Sequence, residues 1–164
     1  MSIDLNKELA IEAAKPSDTA IILSFIKGLA KYEKMSDDVS ANETKLFDSL
    51  FVKKEAFVVI AKIKENPVGF ALYYKNYSTF LGQANMFLED IFIKEKFRGF
   101  GIGKALFNYL ATTAKEEGFK RIDWYCLDWN QPSIDFYHTL GAKMKPEWKI
   151  FRLEEAEIEK LSKK

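Results

Sequence analysis

A glycine-rich turn between an apolar strand and an amphipathic helix, within residues 86–118, most constrains the fold of this chain. Residues 86–93 are apolar except for Glu89 and Asp90, a pattern typical of a strand buried on both faces. The turn follows with the sequence RGFGIG at residues 98–103. A strand, a glycine turn and a helix in this order aim unpaired backbone N–H groups at an anion. The stretch therefore predicts an anion-binding site; the alternative is a helix start with flexible glycines and no ligand.

The glycine spacing argues against two common phosphate-binding motifs. A dinucleotide fingerprint needs G-x-G-x-x-G, whereas residues 99–103 read G-x-G-x-G, although Asp123 lies about 20 residues later, where that fingerprint places an acid. A P-loop needs Ser or Thr after its Gly-Lys, and here Ala105 follows Lys104. What remains is Arg-x-x-Gly-x-Gly opening a helix. The apolar stripe of that helix recurs at helical spacing, at Ile102, Ala105, Leu106, Tyr109, Leu110 and Thr113.

Composition favours one globular domain without a polyanionic or membrane partner. A chain of 164 residues is long enough to bury a core. Its 25 Lys and Arg residues nearly balance 24 Asp and Glu residues and are scattered, so we expect no nucleic-acid partner. No apolar run approaches the ~20 residues of a membrane span, and no secretory signal is visible, so we expect no membrane partner.

The chain contains one cysteine, Cys126, and one histidine, His138. One cysteine cannot form an internal disulfide, which points to a reducing compartment and a cytoplasmic location. One histidine argues against a multi-histidine zinc site or a Ser/His/Asp triad, so no metal is expected. Any chemistry must therefore rely on carboxylates, tyrosines, lysines and backbone groups.

Apolar periodicity along the chain predicts alternating strands and helices. Strands are predicted at residues 9–14, 56–63, 68–74, 86–93, 121–129 and 148–153. Helices are predicted at residues 17–32, 42–51, 102–118 and 130–140, with a loop at 75–82 and a charged, partly helical end at 154–164. This order predicts one α/β layer domain over residues 1–164 with a mixed sheet.

Three separate blocks resemble the GNAT N-acetyltransferases, a large family that takes acetyl groups from acetyl-CoA. They are FLED at residues 87–90, the RGFGIG turn, and DWNQPSIDFY at residues 128–137. Within that family they are similar to the spermidine/spermine acetyltransferases and their thialysine-acetylating relatives, as is LAKYE at residues 29–33. The resemblance spans about residues 9–153. It implies a single-domain GNAT-like α/β fold, a mixed, mostly antiparallel sheet flanked by helices, and a homodimer.

The resemblance also implies a binding site for acetyl-CoA as co-substrate. Backbone N–H groups of Arg98, Phe100, Gly101 and Gly103 are expected to cradle the pyrophosphate, with Lys104 adding charge. Ile91 and Ile93 are expected to line the pantetheine path, whereas Asn130 caps the last helix, contacts CoA, or does both. The full cofactor-binding set is Ile91, Ile93, Arg98, Gly99, Phe100, Gly101, Ile102, Gly103, Lys104 and Asn130.

Acetyl transfer to an alkyl amine requires removal of a proton. At pH 7 an amine with a pKa near ~10.4 is neutral in about one molecule in 2,500, a penalty of roughly 4.6 kcal/mol. Glu89 is the predicted base, because burial in an apolar strand would raise its pKa. Asp90 would point to the opposite face of a regular strand and hold the substrate cation or serve the structure; for both carboxylates the alternative is pairing with a nearby lysine or arginine. The resemblance assigns Tyr137 as the acid that meets the CoA sulfur, with core packing as its alternative.

The candidate substrate-binding residues are Tyr32, Glu33, Ser78, Phe80 and Asp90. In polyamine enzymes the loop before the central strand resembles Tyr-Asp-Pro-Trp, but residues 77–80 read Tyr-Ser-Thr-Phe, as in the thialysine-type branch. The expected function is acetyl-CoA-dependent N-acetylation of the primary amine of a small diamine, polyamine or lysine-like substrate by direct attack on the thioester. The alternatives are acetylation of a protein amine or another metabolite, and a non-catalytic acyl-CoA-binding module.

Overall fold

The structure is a computed structural model that describes residues 4–163, without the side chain of Asn6. The chain divides into two compact units, Met1–Tyr125 and Cys126–Lys164. The first unit holds a mixed sheet and most of the helices, and the second holds two helices joined by irregular backbone.

One sheet organises the first unit, and within the described residues it has five strands in the order β1-β2-β3-β4-β5. The strands are β1 (Leu9–Ala13), β2 (Phe57–Ile63), β3 (Asn66–Ser78), β4 (Gln83–Ile93) and β5 (Ile122–Trp124). Neighbouring strands pair antiparallel except β4 and β5, which pair parallel. The predicted mixed, mostly antiparallel sheet is confirmed.

The helices follow the predicted apolar stripes. They are α1 (Leu5–Glu8), α2 (Thr19–Glu33), α3 (Glu43–Phe47), α4 (Ile102–Glu116), α5 (Gln131–Thr139) and α6 (Glu155–Ser162). A π-helical turn at Asp48–Val52 extends α3, so the two together match the helix predicted at 42–51. Asn42 caps α3, because its side chain accepts a hydrogen bond from the Lys45 N–H at 2.9 Å.

The core lies on both faces of the sheet. Phe25 of α2 stacks on Phe70 of β3 with ring centroids 5.4 Å apart, and both are fully buried with Ile60 of β2. Side chains alternate along a strand, so Val59 faces the other side, where it is also buried. The predicted stripe of α4 is buried at Ile102, Leu106 and Leu110.

Three predicted segments differ from the structure. β3 continues to Ser78, which pairs with Gln83, so the predicted loop at 75–82 shrinks to residues 79–82. The strand predicted at 121–129 is confined to β5, and residues 148–153 form no strand. A strand depends on a neighbouring strand for its backbone hydrogen bonds, and the apolar pattern alone does not supply that neighbour.

In the second unit, Asn130 begins α5. Its side chain accepts a hydrogen bond from the Ser133 N–H at 3.4 Å, which confirms the predicted N-cap. Gly141 ends the same helix region with a φ of +83°, in the left-handed region that glycine adopts readily.

Candidate functional site

The glycine turn leads directly into the N-terminus of α4. Gly99 and Gly101 have φ values of +81° and +85°, which strain residues that carry a Cβ. The first helical hydrogen bond runs from the Ala105 N–H to the Gly101 carbonyl at 3.0 Å. The N–H groups of residues 102–104 therefore precede the helical hydrogen-bond ladder, the arrangement that suits an anion.

Arg98 is held by contacts on three sides. Its backbone N–H donates to the Glu95 carbonyl at 3.0 Å, and its Nε–H donates to the Ile93 carbonyl at 2.9 Å. Its guanidinium carbon lies 4.7 Å from the ring centroid of Tyr32 and 5.7 Å from that of Phe92. The expectation that the Arg98 backbone N–H cradles a pyrophosphate needs correction, because that group is already paired.

A β-bulge interrupts β4 at the acidic pair. Leu72 of β3 pairs with Asp90 and Tyr73 pairs with Leu88, so Glu89 is the extra residue. A bulge breaks the regular alternation of side chains and re-aims them. The prediction that Glu89 and Asp90 point to opposite faces assumed a regular strand, and that assumption is wrong here.

Glu89 is exposed, so its predicted burial is also wrong. The Tyr74 hydroxyl of β3 lies close to its carboxylate. The pKa of Tyr74 is raised first by burial, then by the nearby Glu89 charge and by Tyr125. Tyr74 therefore stays protonated beside Glu89.

Burial and a raised pKa, which were predicted for Glu89, are found at Asp90. Asp90 is half-buried, and its pKa is raised to about 6, first by burial and then by the charges of Glu89 and Glu33. Burial also raises the pKa of Glu33, at the end of α2. Glu33, Glu89 and Asp90 are here called the acidic cluster. Asp90 is repelled by the charges of both Glu89 and Glu33, and a bound cation would relieve that repulsion.

The hairpin end of β3 lies away from the acidic cluster. Ser78 is six residues beyond Leu72, the pairing partner of Asp90, which corresponds to roughly 20 Å along a strand. Ser78 is buried and accepts a hydrogen bond from the Leu81 N–H at 3.3 Å, and Phe80 is 97% exposed. Within this chain, Ser78 and Phe80 are thus not brought to the cluster that contains Glu33 and Asp90.

The remaining predicted residues differ in how far they are exposed to solvent. Ile91 and Ile93 are half-buried near the end of β4, and Lys104 is exposed in the first turn of α4. In the second unit, Tyr137 is half-buried in α5, and Asn130 is buried.

Sequence reasoning missed three residues of this region, Tyr74, Phe92 and Gly28. Tyr74 lies near Glu89, and Phe92 contacts Arg98, as described above. A Cβ on Gly28 would lie 2.8 Å from Phe92 Cζ, so only glycine lets α2 approach β4 this closely. The glycine inside the apolar stripe of α2 was the available signal, because such a glycine commonly has a packing reason.

No helix within residues 4–163 combines the length and apolar character needed to traverse a bilayer. In the same described part of the chain, no group of three or more His, Cys, Asp or Glu side chains is arranged to hold a metal ion.

Comparison with known proteins gives consistent matches. The model of the Acetyltransferase (GNAT) family matches residues 25–142. The chain is 37% identical over 166 residues to a thialysine N-epsilon-acetyltransferase of Sus scrofa, covering 94% of this chain and 97% of the relative. It is 33% identical over 159 residues to the Caenorhabditis elegans protein of the same name, covering 95% and 98%. An integron cassette protein from the mobile metagenome of V. cholerae superimposes with a TM-score of 0.79 at 26% identity, covering 96% and 99%.

Proposed function

Because the chain belongs to the GNAT acetyltransferase family and is an N-acetyltransferase, we propose that it acetylates the primary amine of a small lysine-like or diamine substrate. The observation that carries this proposal is the acidic cluster, which lies in the same unit as the glycine turn. A half-buried carboxylate with two further carboxylates in electrostatic range favours a cationic substrate. The names of the Sus scrofa and Caenorhabditis elegans relatives agree with a lysine-like amine.

On the donor side, we assign acetyl-CoA to the glycine turn. The N–H groups of Ile102, Gly103 and Lys104 suit the pyrophosphate, and the Lys104 side chain adds a positive charge. Ile91 and Ile93 are assigned to the pantetheine arm. Together with Gly99, Phe100, Gly101 and Asn130 they make up the assigned donor site.

On the acceptor side, Asp90 and Glu33 attract the ammonium group, and Tyr32 borders them. With a pKa of about 6, Asp90 is ionised at pH 7 to 8 and able to hold a cation. Glu89, which lies near Tyr74 and is open to solvent, accepts the amine proton through water. The exposed position of Glu89 suits this role, because the proton must finally reach bulk water.

The neutral amine then attacks the thioester carbonyl carbon, so that a C–N bond forms and a tetrahedral intermediate develops. Collapse of the intermediate breaks the C–S bond, and the electron pair leaves with the CoA sulfur. Tyr137 is assigned to donate a hydrogen bond or a proton to that sulfur. Since tyrosine has a pKa near ~10 and a thiol near ~8.5, stabilisation of the developing thiolate contributes more than complete proton transfer. The nitrogen loses its second proton as the intermediate collapses, and that proton ends on the CoA sulfur, directly or by replacing one that Tyr137 has given. The products are the N-acetyl amine, CoA as the free thiol and the proton taken by Glu89.

A thiol-release assay with acetyl-CoA tests the proposal. The acceptors are thialysine, lysine, putrescine, spermidine and a lysine-containing peptide. We expect release with thialysine and lysine to exceed release with spermidine, because residues 77–80 lack the acidic residue that the resemblance associates with polyamine binding. Preferred release with the peptide would favour a protein amine as acceptor. Tight CoA binding without release for any amine would overturn the proposal in favour of a non-catalytic acyl-CoA-binding module.

We also propose that the chain acts as a homodimer in which the partner covers the apolar tail, residues 144–153. The tail exposes large side chains to between 55% and 93%, at Met144, Trp148, Ile150, Phe151 and Leu153. Since an aromatic side chain buries about 150–250 Å², Trp148 and Phe151 alone would supply roughly half of the ~800 Å² per partner of a standard interface. The family resemblance supports a second copy as the occupant.

Light scattering coupled to size-exclusion chromatography measures this directly. We expect a dimer mass for the full chain and a monomer for Phe151→Asp, with Lys160→Asp, outside the tail in α6, as a charge-changing control. A monomer at all accessible concentrations would overturn the dimer.

We further propose that residues 1–164 act as one domain in the cytoplasm, where a chain with one cysteine needs no disulfide.

A further inference from the structure

The contacts of Arg98 point to a role that phosphate binding does not explain. Its guanidinium lies over two aromatic rings, those of Tyr32 and Phe92, at 4.7 and 5.7 Å. Its Nε–H is committed to the Ile93 carbonyl at 2.9 Å. A planar guanidinium stacks on aromatic faces and hydrogen bonds at its edge at the same time, which lysine does not reproduce.

Both rings belong to elements that carry the acidic cluster. Tyr32 immediately precedes Glu33 at the end of α2, and Phe92 lies two residues after Asp90 in β4. One side chain at the head of the glycine turn thus contacts the sequence neighbours of two cluster members.

The Phe92 ring packs against α2 as well as against Arg98. It faces Gly28 so closely that a Cβ there would lie 2.8 Å from its Cζ, and it contacts Phe25 with ring centroids 6.2 Å apart. Arg98 therefore contacts α2 directly through Tyr32 and indirectly through Phe92.

We propose that Arg98 is a positioning residue that couples the glycine turn to the amine-side carboxylates through Tyr32. This inference rests on the proposed function, because it takes the turn as the CoA site and the cluster as the amine site. CoA bound at the turn contacts the backbone that carries Arg98, the Arg98 guanidinium contacts the Tyr32 ring, and Tyr32 directly precedes Glu33 in α2. Linkage is reciprocal, so the amine must tighten CoA binding by the same factor as CoA tightens amine binding.

A double-mutant cycle on CoA binding, measured by calorimetry, tests the connection. We expect Tyr32→Leu to weaken CoA binding by about 3–10-fold, the scale of one cation–π contact. Combining it with Arg98→Met should weaken binding less than the product of the two single effects. Tyr32→Phe keeps the ring and should weaken CoA binding less than Tyr32→Leu does. Lys31→Met removes a charge from the same turn of α2 without touching the stack, and should leave the affinity unchanged.

Unchanged CoA affinity in Tyr32→Leu, or single effects that multiply, would show that Arg98 acts on CoA independently and would overturn the inference. Thermal unfolding shows whether each variant is folded. If Tyr32→Leu does not fold, the titration of Arg98→Lys described below tests the inference in its place. This cycle needs no turnover. Its result therefore stays interpretable if no amine is acetylated, and failure of the proposed function is seen separately in the thiol-release assay.

A second measurement examines the coupling itself. CoA is titrated with and without saturating thialysine, into the unaltered chain and into Arg98→Lys. We expect thialysine to tighten CoA binding in the unaltered chain and to lose that effect in Arg98→Lys, since lysine keeps the charge but not the planar stack. Equal enhancement in both proteins would contradict the positioning role.

Discussion

The two units of this chain hold their functional side chains by different means. In the first, a packed core with fully buried Phe25, Ile60 and Phe70 fixes β4 and α2, and with them the acidic cluster. In the second, Asn130 is the one buried residue among those described at 126–163, and Phe151 is 93% exposed. The first unit therefore sets geometry by packing and strand register, whereas the second relies on helix capping and on whatever covers its apolar tail.

The largest effect is expected in the first unit, from Glu89→Gln. Loss of a general base should lower kcat by about 10²–10⁴-fold and remove the acidic limb of the pH–rate profile. Thiol release between pH 5 and 9 measures both quantities. Glu95→Gln, which alters a carboxylate outside the cluster, is the matched control. An acidic limb that persists in Glu89→Gln would exclude Glu89 as the base.

The corresponding test in the second unit is Tyr137→Phe. If α5 supplies the group that stabilises the CoA thiolate, kcat should fall by a factor in the same range of about 10²–10⁴, with a smaller change in the KM for the amine. Tyr109→Phe removes a hydroxyl from α4 and serves as control. A kcat equal to that of the unaltered chain would leave the chemistry to the first unit.

A smaller effect is expected on the stability of the first unit, from the half-buried carboxyl group of Asp90. Its folded pKa of about 6 lies above its ordinary value of 3.8, so the folded chain binds this proton more tightly than the unfolded chain does. That stabilisation is complete below pH ~4 and is lost as pH rises through 6, a difference of about 3 kcal/mol at ~1.4 kcal/mol per unit of pKa. Asp90→Asn should therefore raise the free energy of unfolding at pH 8 by up to about 3 kcal/mol.

Urea unfolding of Asp90→Asn between pH 4 and 8 makes this measurement, with Asp37→Asn in an exposed turn as control. The decline in stability between pH 4 and 6 should be shallower in Asp90→Asn than in the control. Parallel pH curves would contradict the raised pKa.

The smallest effect is expected at Asn130, in the second unit. Asn130→Ala removes the N-cap of α5 and should cost about 1 kcal/mol of stability, whereas Asn130→Ser retains a capping oxygen and should cost less. CoA titration of the two variants separates capping from contact with CoA. If both variants bind CoA as tightly as the unaltered chain does, Asn130 acts only as a cap. If the Ser variant, which keeps a capping oxygen, binds CoA more weakly than the unaltered chain, Asn130 also contacts CoA.

The parts of the site that were predictable are those that are continuous in the chain. The strand, turn and α4 could be predicted because a few neighbouring residues carry the apolar pattern, the glycines and the helix start. The parts that were not predictable depend on pairing between distant segments. The bulge at Glu89 results from the register with β3, and that register also places Tyr74 beside Glu89. The strand predicted at 148–153 failed for the same reason, because no local pattern supplies its partner.

The sequence by itself determined the elements, the α/β class, the glycine turn and the presence of an acidic pair, because these follow from local periodicity and backbone preferences. Tertiary structure decided which carboxylate is buried and which is exposed, and it joined Glu33 to the pair from a helix more than 50 residues away. It also placed the Arg98 guanidinium between the rings of Tyr32 and Phe92. The physical reason is that solvation and electrostatic coupling depend on distances through space, which strand register and helix packing set only once the chain is folded.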